Sequence, residues 1–206
     1  MKKSTIVFIT ILSLGVGFAS AWIARGLQPI KLEAGLWLGD NARALPDFKL
    51  IDHNGEDFDR DNLQGKWHLL FFGYTHCPDV CPASLQTMAD MLKSISDSDV
   101  SNAIRVVFVS VDPDRDTPEV LKNYVQYFNP GFIGITGTEQ NLNQLAKTIG
   151  ISYFLDRENP EQVSYLVSHS SSIILINPSV EYAGLFRAPL STLAMAEDLT
   201  KIIERN

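Results

Sequence analysis

The chain has 206 residues, which is long enough for one domain with a complete hydrophobic core. Hydrophobic residues make up 45% of it and charged residues 20%, a composition that is typical of a folded protein and excludes an intrinsically disordered one. The formal net charge of −7 argues against nucleic acid as a partner, because binding to phosphates requires a basic surface.

The N-terminus has the pattern of a membrane anchor. Lys2 and Lys3 precede the uncharged residues 4–24, which are rich in Ile, Leu, Val and Phe, and Arg25 follows. As a helix, this stretch would span about 31 Å, close to the thickness of the hydrocarbon core of a bilayer. The paired lysines favour a cytoplasmic N-terminus. We therefore expect a single-pass anchor at residues 1–27 in the inner membrane, with the remaining chain in the periplasm or the equivalent intermembrane compartment.

The same stretch has a second interpretation as a signal peptide. Ala19-Ser20-Ala21 matches the A-x-A pattern at which signal peptides are cut. The uncharged stretch continues past that site and is longer than the apolar core of a usual signal peptide, so we favour the uncleaved anchor. In both cases the following domain is exported. Residues 28–45 contain proline, glycine and mixed charges and are expected to form a tether, and residues 46–206 are expected to form the folded domain.

Strands and helices alternate along the domain. Residues 46–52 alternate as a strand does, and the apolar runs 67–72 and 104–111 predict two buried strands. Helix formers at 83–92 separate these two strands. The remaining predicted elements are a helix at 118–128, a strand at 132–135, a helix that Thr138 caps and that ends at Gly150, two hairpins at 151–155/163–167 and 173–176/182–186, and a helix at 191–204. This order predicts an α/β, thioredoxin-like fold, whose active site lies at the C-terminal ends of strands.

The only two cysteines, Cys77 and Cys81, lie where a predicted strand ends and a predicted helix begins. The first turn of a helix stabilises a thiolate through its unpaired backbone N–H groups and its partial positive charge. A helical turn would bring both sulfurs to one face with a rise of about 6 Å. The pair can therefore form a disulfide or hold one soft metal ion, and the spacing alone does not choose between them. In an oxidising compartment, a free pair would close unless a reductant or a metal prevents it.

The four histidines differ in their settings. His53 is expected to be a solvated turn residue, and His68 is expected to be a packed side chain of the strand before the cysteines. His76 adjoins Cys77 in sequence and is not expected to be a ligand, because neighbouring side chains usually point apart. His169 lies in a polar stretch that predicts a loop between strands. If the hairpin before it pairs next to the cysteine strand, this loop reaches the start of the helix that carries the cysteines.

Three motifs together resemble those of one family: GYTHCPDVCP at residues 73–82, VDPDRDTP at residues 111–118, and SHS at residues 168–170. In this combination and order they are similar to the Sco/SenC family. Its members are membrane-anchored, thioredoxin-like copper proteins that take part in assembling cytochrome c oxidase. The resemblance covers the chain from about residue 45 to the C-terminus and includes the anchor. It implies that Cys77, Cys81 and His169 bind copper, as Cu(I), Cu(II) or both, and that the recipient is the CuA site of oxidase subunit two.

The chemistry of these residues agrees with that implication. Two thiolates and an imidazole form a soft three-ligand set that suits Cu(I) and, with an added weak ligand, Cu(II). Thiolate binding to a metal also blocks the disulfide, so metal loading and redox state are linked. Asp79 lies between the cysteines and is a candidate for partner contact or helix-start electrostatics, with simple solvation as the alternative. Asp112 follows a central strand and is a candidate for orienting His169, with a turn aspartate before proline as the alternative.

We therefore interpret the chain as a copper metallochaperone rather than primarily as an enzyme. Besides the oxidase subunit, the expected partner is an upstream copper donor or a thiol reductant. The alternative function is a thiol–disulfide reductase that keeps the recipient's cysteines reduced. Its redox-active pair would be Cys77 and Cys81, and it would not need His169. A third possibility is a peroxidase on the same fold. It would need a pocket for the peroxide, and only Thr75 and Arg115 suggest one.

Overall fold

A computed structural model describes residues 30–96, 99–157, 159, 162 and 165–205, together with Gly17 and Ser20, and it leaves out the side chain of His169. The chain divides into two compact units, Met1–Lys31 and Leu32–Asn206. Apart from Gly17 and Ser20, the anchor predicted at residues 1–27 lies outside the described residues. Within the described part of the chain, no helix combines the length and the apolar character that a bilayer crossing requires.

The second unit is a mixed α/β fold around one large sheet. Its strands are β1 (Gly35–Trp37), β2 (Arg43–Ala44), β3 (Lys49–Asp52), β4 (Asp57–Asp59), β5 (Trp67–Gly73), β6 (Ile104–Ser110), β7 (Ile133–Thr136), β8 (Tyr153–Asp156), β9 (Leu166–His169), β10 (Ile173–Ile176) and β11 (Glu181–Phe186). Its helices are α1 (Val80–Ser94), α2 (Asp99–Ala103), α3 (Pro118–Phe128), α4 (Glu139–Thr148) and α5 (Thr192–Ile203), with 3₁₀ turns at Gly39–Asn41 and Arg60–Leu63.

The described strands form a nine-stranded sheet and a separate hairpin. The sheet order is β1-β11-β10-β5-β6-β7-β3-β4, with β2 also paired to β11, and the hairpin consists of β8 and β9. The central strands β5 and β6 run parallel, and their last residues, Gly73 and Ser110, are paired in the register. Both strands are buried along nearly their whole length, as parallel strands covered on both faces usually are. The residues that follow the two strands therefore meet at one edge of the sheet.

Three helices begin within one residue of their predicted starts, whereas α1 begins at Val80, ahead of the predicted stretch 83–92, and α2 was not predicted. The side chains of Thr117, Thr138 and Ser191 each accept a hydrogen bond from a backbone N–H three residues later, which satisfies one unpaired donor at each helix start. The helix Pro118–Phe128 has the predicted bounds. The helices α4 and α5 each end slightly before their predicted ends, and Gly150 follows α4 in the left-handed conformation at φ +73°.

The prediction for the hairpin before β10 was wrong in its second arm. That arm is Leu166–His169 instead of residues 163–167, so His169 ends a strand and does not lie in a loop. The register pairs His169 with Tyr153. The polar residues before His169 suggested a loop, but one face of this hairpin is open to solvent. Ser168 and Phe154 are both exposed there, and a half-exposed strand accommodates polar residues at alternate positions.

The compact unit begins at Leu32, inside the segment that we expected to be a tether. The strand Gly35–Trp37 pairs with β11, and Arg43–Ala44 pairs with the same strand farther along. The fully buried carboxylate of Asp198, on α5, accepts hydrogen bonds from the backbone N–H groups of Glu33, Ala34 and Gly35 at 2.8–3.0 Å. This carboxylate fixes the path by which the chain enters the sheet.

We predict that Asp198→Ala destabilises the protein by about 3 kcal/mol, because it leaves three part-buried backbone donors without their charged acceptor. The free energy of unfolding from urea denaturation measures this effect. Glu197→Ala is the matched control, since Glu197 is exposed on the same helix and forms only an ion pair with Lys201 at 3.7 Å. Its effect should stay below about 0.5 kcal/mol. Equal losses in the two variants would contradict this role of Asp198.

Candidate metal centre

The two cysteines lie on either side of a helix start, as predicted. The strand β5 ends at Gly73, Cys77 lies in the turn that follows, and Cys81 lies in the first turn of α1, which begins at Val80. The backbone N–H of Cys77 donates to the carbonyl of Tyr74 at 3.3 Å, which tightens the turn. Both cysteines are free thiols.

Their environments are unequal. Cys77 is half-buried, whereas Cys81 is fully buried in the hydrophobic core. The Cys77 sulfur accepts the backbone N–H of Cys81 at 3.4 Å. The Cys81 sulfur forms a hydrogen bond with the backbone of Tyr74, but burial is the larger effect and raises the pKa of the Cys81 thiol. The site therefore presents one accessible sulfur and holds the other inside the protein.

Gly73 makes this burial of the Cys81 sulfur possible. A Cβ at position 73 would come within 2.8 Å of both the Cys81 sulfur and a ring carbon of Phe108. These distances are shorter than van der Waals contact, so a side chain at this point would displace the sulfur, the ring or the strand end. The glycine at the end of β5 therefore allows the cysteine to pack directly against the sheet.

Tyr74 connects the cysteines to the strand that ends at His169. Its backbone bonds to the Cys81 sulfur, and its buried hydroxyl forms a hydrogen bond with the backbone of Val167. Val167 lies in β9, two residues before His169. The structure thus brings the strand that carries the predicted third ligand to the cysteine site, although this strand follows Cys81 by more than 80 residues in sequence.

Asp112 lies at the end of β6 and is fully buried. One of its oxygens accepts a hydrogen bond from Nε of Arg115 at 2.5 Å, and the other accepts one from the hydroxyl of Tyr165. Burial raises the pKa of Tyr165 to about 12, so the hydroxyl remains a proton donor at neutral pH. The sequence indicated Asp112 as a supporting residue, but Tyr165 had no signal because its partner lies 53 residues away.

Asp116 is a second fully buried carboxylate, four residues later. It accepts hydrogen bonds from the backbone N–H and the hydroxyl of Thr75, at 2.9 and 2.6 Å, and from the hydroxyl of Ser110 at 2.5 Å. Burial raises its pKa, and these hydrogen bonds oppose that increase. No local pattern indicates that the side chain of Asp116 contacts the cysteine turn, because its partner Thr75 lies 41 residues earlier in the chain. Thr75 and Arg115, the two signs of a peroxide pocket, are engaged with Asp116 and Asp112.

Asp79 differs from these two carboxylates because it is exposed. It is the residue before α1, but its side chain makes no capping hydrogen bond to the helix. Its backbone carbonyl accepts the N–H of Ala83 at 3.1 Å. The side chain of Asp79 is therefore available at the surface beside Cys77.

The other histidines lie away from a ligand position or are engaged elsewhere. The prediction for His53 was wrong, because His53 is only 8% exposed and its Nδ1 accepts the backbone N–H of Gly134 at 2.9 Å. Burial lowers the pKa of His53 and keeps the ring neutral. His68 is a packed side chain, as predicted, and donates to the carbonyl of Lys66 at 3.1 Å. His76 is exposed, and its Nδ1 lies 3.1 Å from the hydroxyl oxygen of Thr75.

Of the three predicted ligands, the structure describes the side chains of Cys77 and Cys81. Among the described side chains, no group of three histidine, cysteine, aspartate or glutamate residues is arranged to hold a metal ion. The backbone of His169 lies at the end of β9, and its side chain falls outside the described set. The geometry therefore supplies two soft sulfur donors and a strand that leads to the third candidate.

Comparison with known families decides the relationship. The model of the SCO1/SenC family matches residues 38–204, which is most of the chain. The chain belongs to the SCO1/SenC family. Its predicted resemblance is thereby confirmed.

Relatives of this family member share its fold. It is 36% identical over 172 residues to a protein from Stutzerimonas stutzeri described as copper-binding, which covers 84% of this chain and 83% of the relative. The copper-bound structure of Arabidopsis thaliana ScoI has a TM-score of 0.70 and 31% identity, with 78% of this chain and 98% of that chain covered. Copper-bound yeast Sco1 has a TM-score of 0.72 and 28% identity, with coverage of 79% and 89%. The predicted α/β, thioredoxin-like fold is confirmed.

We predict that Gly73→Ala destabilises this SCO1/SenC family member by about 1–3 kcal/mol, because the added methyl group overpacks the Cys81 sulfur against Phe108. Urea denaturation of the reduced protein measures the loss. In the control Gly131→Ala, the nearest atom is the side-chain oxygen of Asn129 at 3.3 Å, and the loss should be below about 1 kcal/mol. Unchanged stability of Gly73→Ala would show that the Cys81 sulfur is not packed as described.

A second prediction concerns acid stability. Burial lowers the pKa of His68 from its usual 6.5 to about 4 in the folded state. The unfolded state therefore binds this proton more tightly, so the neutral ring stabilises the fold above pH 6.5 and this contribution is lost as the pH falls toward 4. We expect the free energy of unfolding to fall by roughly 3 kcal/mol more in the wild type than in His68→Gln over this interval. Parallel pH profiles of the two proteins would contradict the assignment.

Proposed function

We propose that this chain binds one copper ion through Cys77, Cys81 and His169 and delivers it to the CuA site of cytochrome c oxidase subunit two during oxidase assembly. The observation that carries the proposal is the link through Tyr74. Its backbone bonds to the Cys81 sulfur and its hydroxyl bonds to Val167, so the strand ending at His169 lies against the cysteine site. Copper-bound structures of the Arabidopsis thaliana and yeast relatives support the choice of metal.

The donor set fits copper chemically. Two thiolates and one imidazole are soft or intermediate ligands, and three of them suffice for Cu(I). Val167 and His169 are two residues apart in β9 and belong to the same alternating set of the strand. The backbone of Val167 forms a hydrogen bond with the hydroxyl of Tyr74. The end of this strand therefore lies near the cysteine site, where His169 can complete it.

The unequal exposure of the cysteines suits delivery. The buried Cys81 holds the ion within the protein, while the half-buried Cys77 leaves one side of the ion open to ligands of a recipient. A shared intermediate, in which donor and recipient ligands bind the ion together, then replaces release into solution. We assign Asp79, exposed beside Cys77, to contact with the recipient. In this proposal, Asp112 supports the strand of His169 through Tyr165.

The proposed setting follows from the N-terminal sequence. An uncleaved helix at residues 1–27 would hold the domain at the outer face of the inner membrane, in the periplasm or the equivalent compartment. That location places the domain beside a membrane-bound oxidase subunit. An upstream copper donor or thiol reductant would load the site or keep its cysteines reduced.

One observation also favours the alternative, a thiol–disulfide reductase that keeps the recipient's cysteines reduced. An accessible Cys77 that accepts an N–H from the helix start, followed by a buried Cys81, is the arrangement of an attacking and a resolving thiol. This function would use the same pair of cysteines and would be independent of His169.

We predict that His169→Ala lowers the affinity for Cu(I) by at least about tenfold, because loss of an outer supporting group alone costs roughly 10- to 100-fold at metal sites. The measurement is competition between the reduced full chain in detergent and a chromophoric Cu(I) chelator. The wild type should bind one copper ion per chain. His76→Ala is the matched control, since this exposed histidine adjoins Cys77, and its affinity should change less than about twofold.

The same variants separate the two functions. Under the delivery proposal, His169→Ala loses copper transfer to the CuA domain but still reduces a disulfide in that domain. Wild-type copper affinity in His169→Ala, together with unchanged reduction of the recipient's disulfide, would favour the reductase. Loss of tight copper binding in His76→Ala but not in His169→Ala would overturn the proposed ligand set.

A further inference from the structure

The loop between β6 and α3, residues 111–117, contacts two segments that are distant from each other in sequence. One is the turn that carries Cys77, and the other is the residue directly before β9. Each contact uses a different buried carboxylate of the loop. The contacts form two arms, which we call the cysteine arm and the histidine arm.

The cysteine arm is Asp116 with its donors, Thr75 and Ser110. Asp116 accepts the backbone N–H of Thr75 at 2.9 Å and its hydroxyl at 2.6 Å. The hydroxyl of Ser110 donates to the same carboxylate at 2.5 Å. Thr75 lies two residues before Cys77, so this arm fixes the turn in which the accessible cysteine lies.

The histidine arm is Asp112 and Arg115 with Tyr165. The Arg115 guanidinium donates to the carboxylate of Asp112 at 2.5 Å and to the backbone carbonyl of Tyr165 at 3.1 Å. Its central carbon lies 3.6 Å from the centroid of the Tyr165 ring. The hydroxyl of Tyr165 donates back to Asp112. Backbone, ring and hydroxyl of one residue are thus all held by the loop.

The position of Tyr165 gives this arm its significance. Tyr165 directly precedes β9 and lies four residues before His169. On its other side, Arg157 lies 5.7 Å from the ring and also pairs with Asp114 of the loop. The side chains of Asp112 and Arg115 bond to Tyr165 before the hairpin strand β9, and the side chain of Asp116 bonds to Ser110 and the cysteine turn. The arms also touch, because the backbone N–H of Asp112 donates to the Ser110 hydroxyl at 3.1 Å and Arg115 lies 5.7 Å from the centroid of the Tyr74 ring. Removing the Tyr165 hydroxyl alone leaves the hydrogen bonds of the cysteine arm in place.

We propose that Asp112, Arg115 and Tyr165 are positioning residues for the third copper ligand, His169. This inference rests on the proposed function. The physical basis is that a metal ligand must be held in a narrow range of distance and angle, which side-chain entropy opposes unless the backbone beneath it is fixed. The loop fixes the backbone of β9 at one end through Tyr165, and Tyr74 fixes it through Val167.

The test is a double-mutant cycle on the full chain in detergent, with Cu(I) as the probe and a chromophoric chelator as competitor. Tyr165→Phe removes the hydroxyl bond to Asp112 and keeps the ring over Arg115. We expect it to lower the Cu(I) affinity about tenfold when His169 is present. In the His169→Ala background, the same change should lower the affinity by less than about twofold, because the ligand that it positions is gone.

Thr75→Val is the matched control from the cysteine arm. It removes one hydroxyl donor to Asp116, and its effect on the Cu(I) affinity should be the same with and without His169. A Tyr165→Phe effect of equal size in both backgrounds would overturn the inference, because it would show a general structural role. The absence of any effect of Tyr165→Phe would overturn it as well.

A second readout separates positioning from stability. Electron paramagnetic resonance of the Cu(II)-loaded protein reports nitrogen coordination through its hyperfine splitting. We expect Arg115→Lys, which loses the two-donor fork, to weaken this nitrogen signal, and Thr75→Val to retain it. A full nitrogen signal in Arg115→Lys would contradict the inference. If His169→Ala itself leaves affinity and signal unchanged, the proposed ligand set fails first, and that outcome is distinct from failure of the histidine arm alone.

Discussion

Two carboxylates buried at the end of the central strand β6 are the constraint on which the candidate site depends. A buried carboxylate is costly unless hydrogen-bond donors surround it. Asp112 and Asp116 obtain their donors from four parts of the chain: the end of β6, their own loop, the cysteine turn and the residue before β9. To satisfy both carboxylates, these segments must lie together. The chemistry of burial therefore assembles the site before any metal is bound.

The sheet provides the rigid base for this assembly. The strands β5 and β6 end side by side, and the glycine at the end of β5 lets the Cys81 sulfur pack against the ring of Phe108. Packing on this side leaves little freedom for Cys81, whereas Cys77 remains partly open to solvent. A site with one enclosed and one accessible sulfur can retain a soft ion and still exchange ligands with a partner. This asymmetry suits the proposed role in metal transfer.

The strand β1, which lies in the segment where the chain enters the fold, forms one edge of the large sheet. The strand β1 pairs with β11, and the carboxylate of Asp198 binds the backbone just before it. Covering an edge strand removes unpaired backbone groups that would otherwise invite association with other chains. The chain thus becomes part of the fold well before the first strand that hydrophobic alternation predicts.

Local patterns in the sequence determined the order of the main elements, the starts of the helices predicted at 118–128, after Thr138 and at 191–204, and the position of the cysteines between a strand and a helix. These features depend on residues close together in the chain, such as an apolar run, a capping hydroxyl or a proline at a first helical position. The family motifs also predicted the thioredoxin-like fold, because members of the Sco/SenC family share it. They also named His169 as a ligand, which remains a prediction.

Only the tertiary structure decided which side chains support the site. Tyr165 and Tyr74 carry no local signal, because their partners lie far away in sequence, and a sequence pattern does not record which hydroxyl meets which carboxylate. His53 looked solvated because a turn residue is usually exposed, yet it is buried against the backbone of Gly134. The short strand β1 was not predicted, and β9 was predicted a few residues too early. A few residues with one face open to water have almost no periodicity, and pairing with a distant strand is what makes them strands.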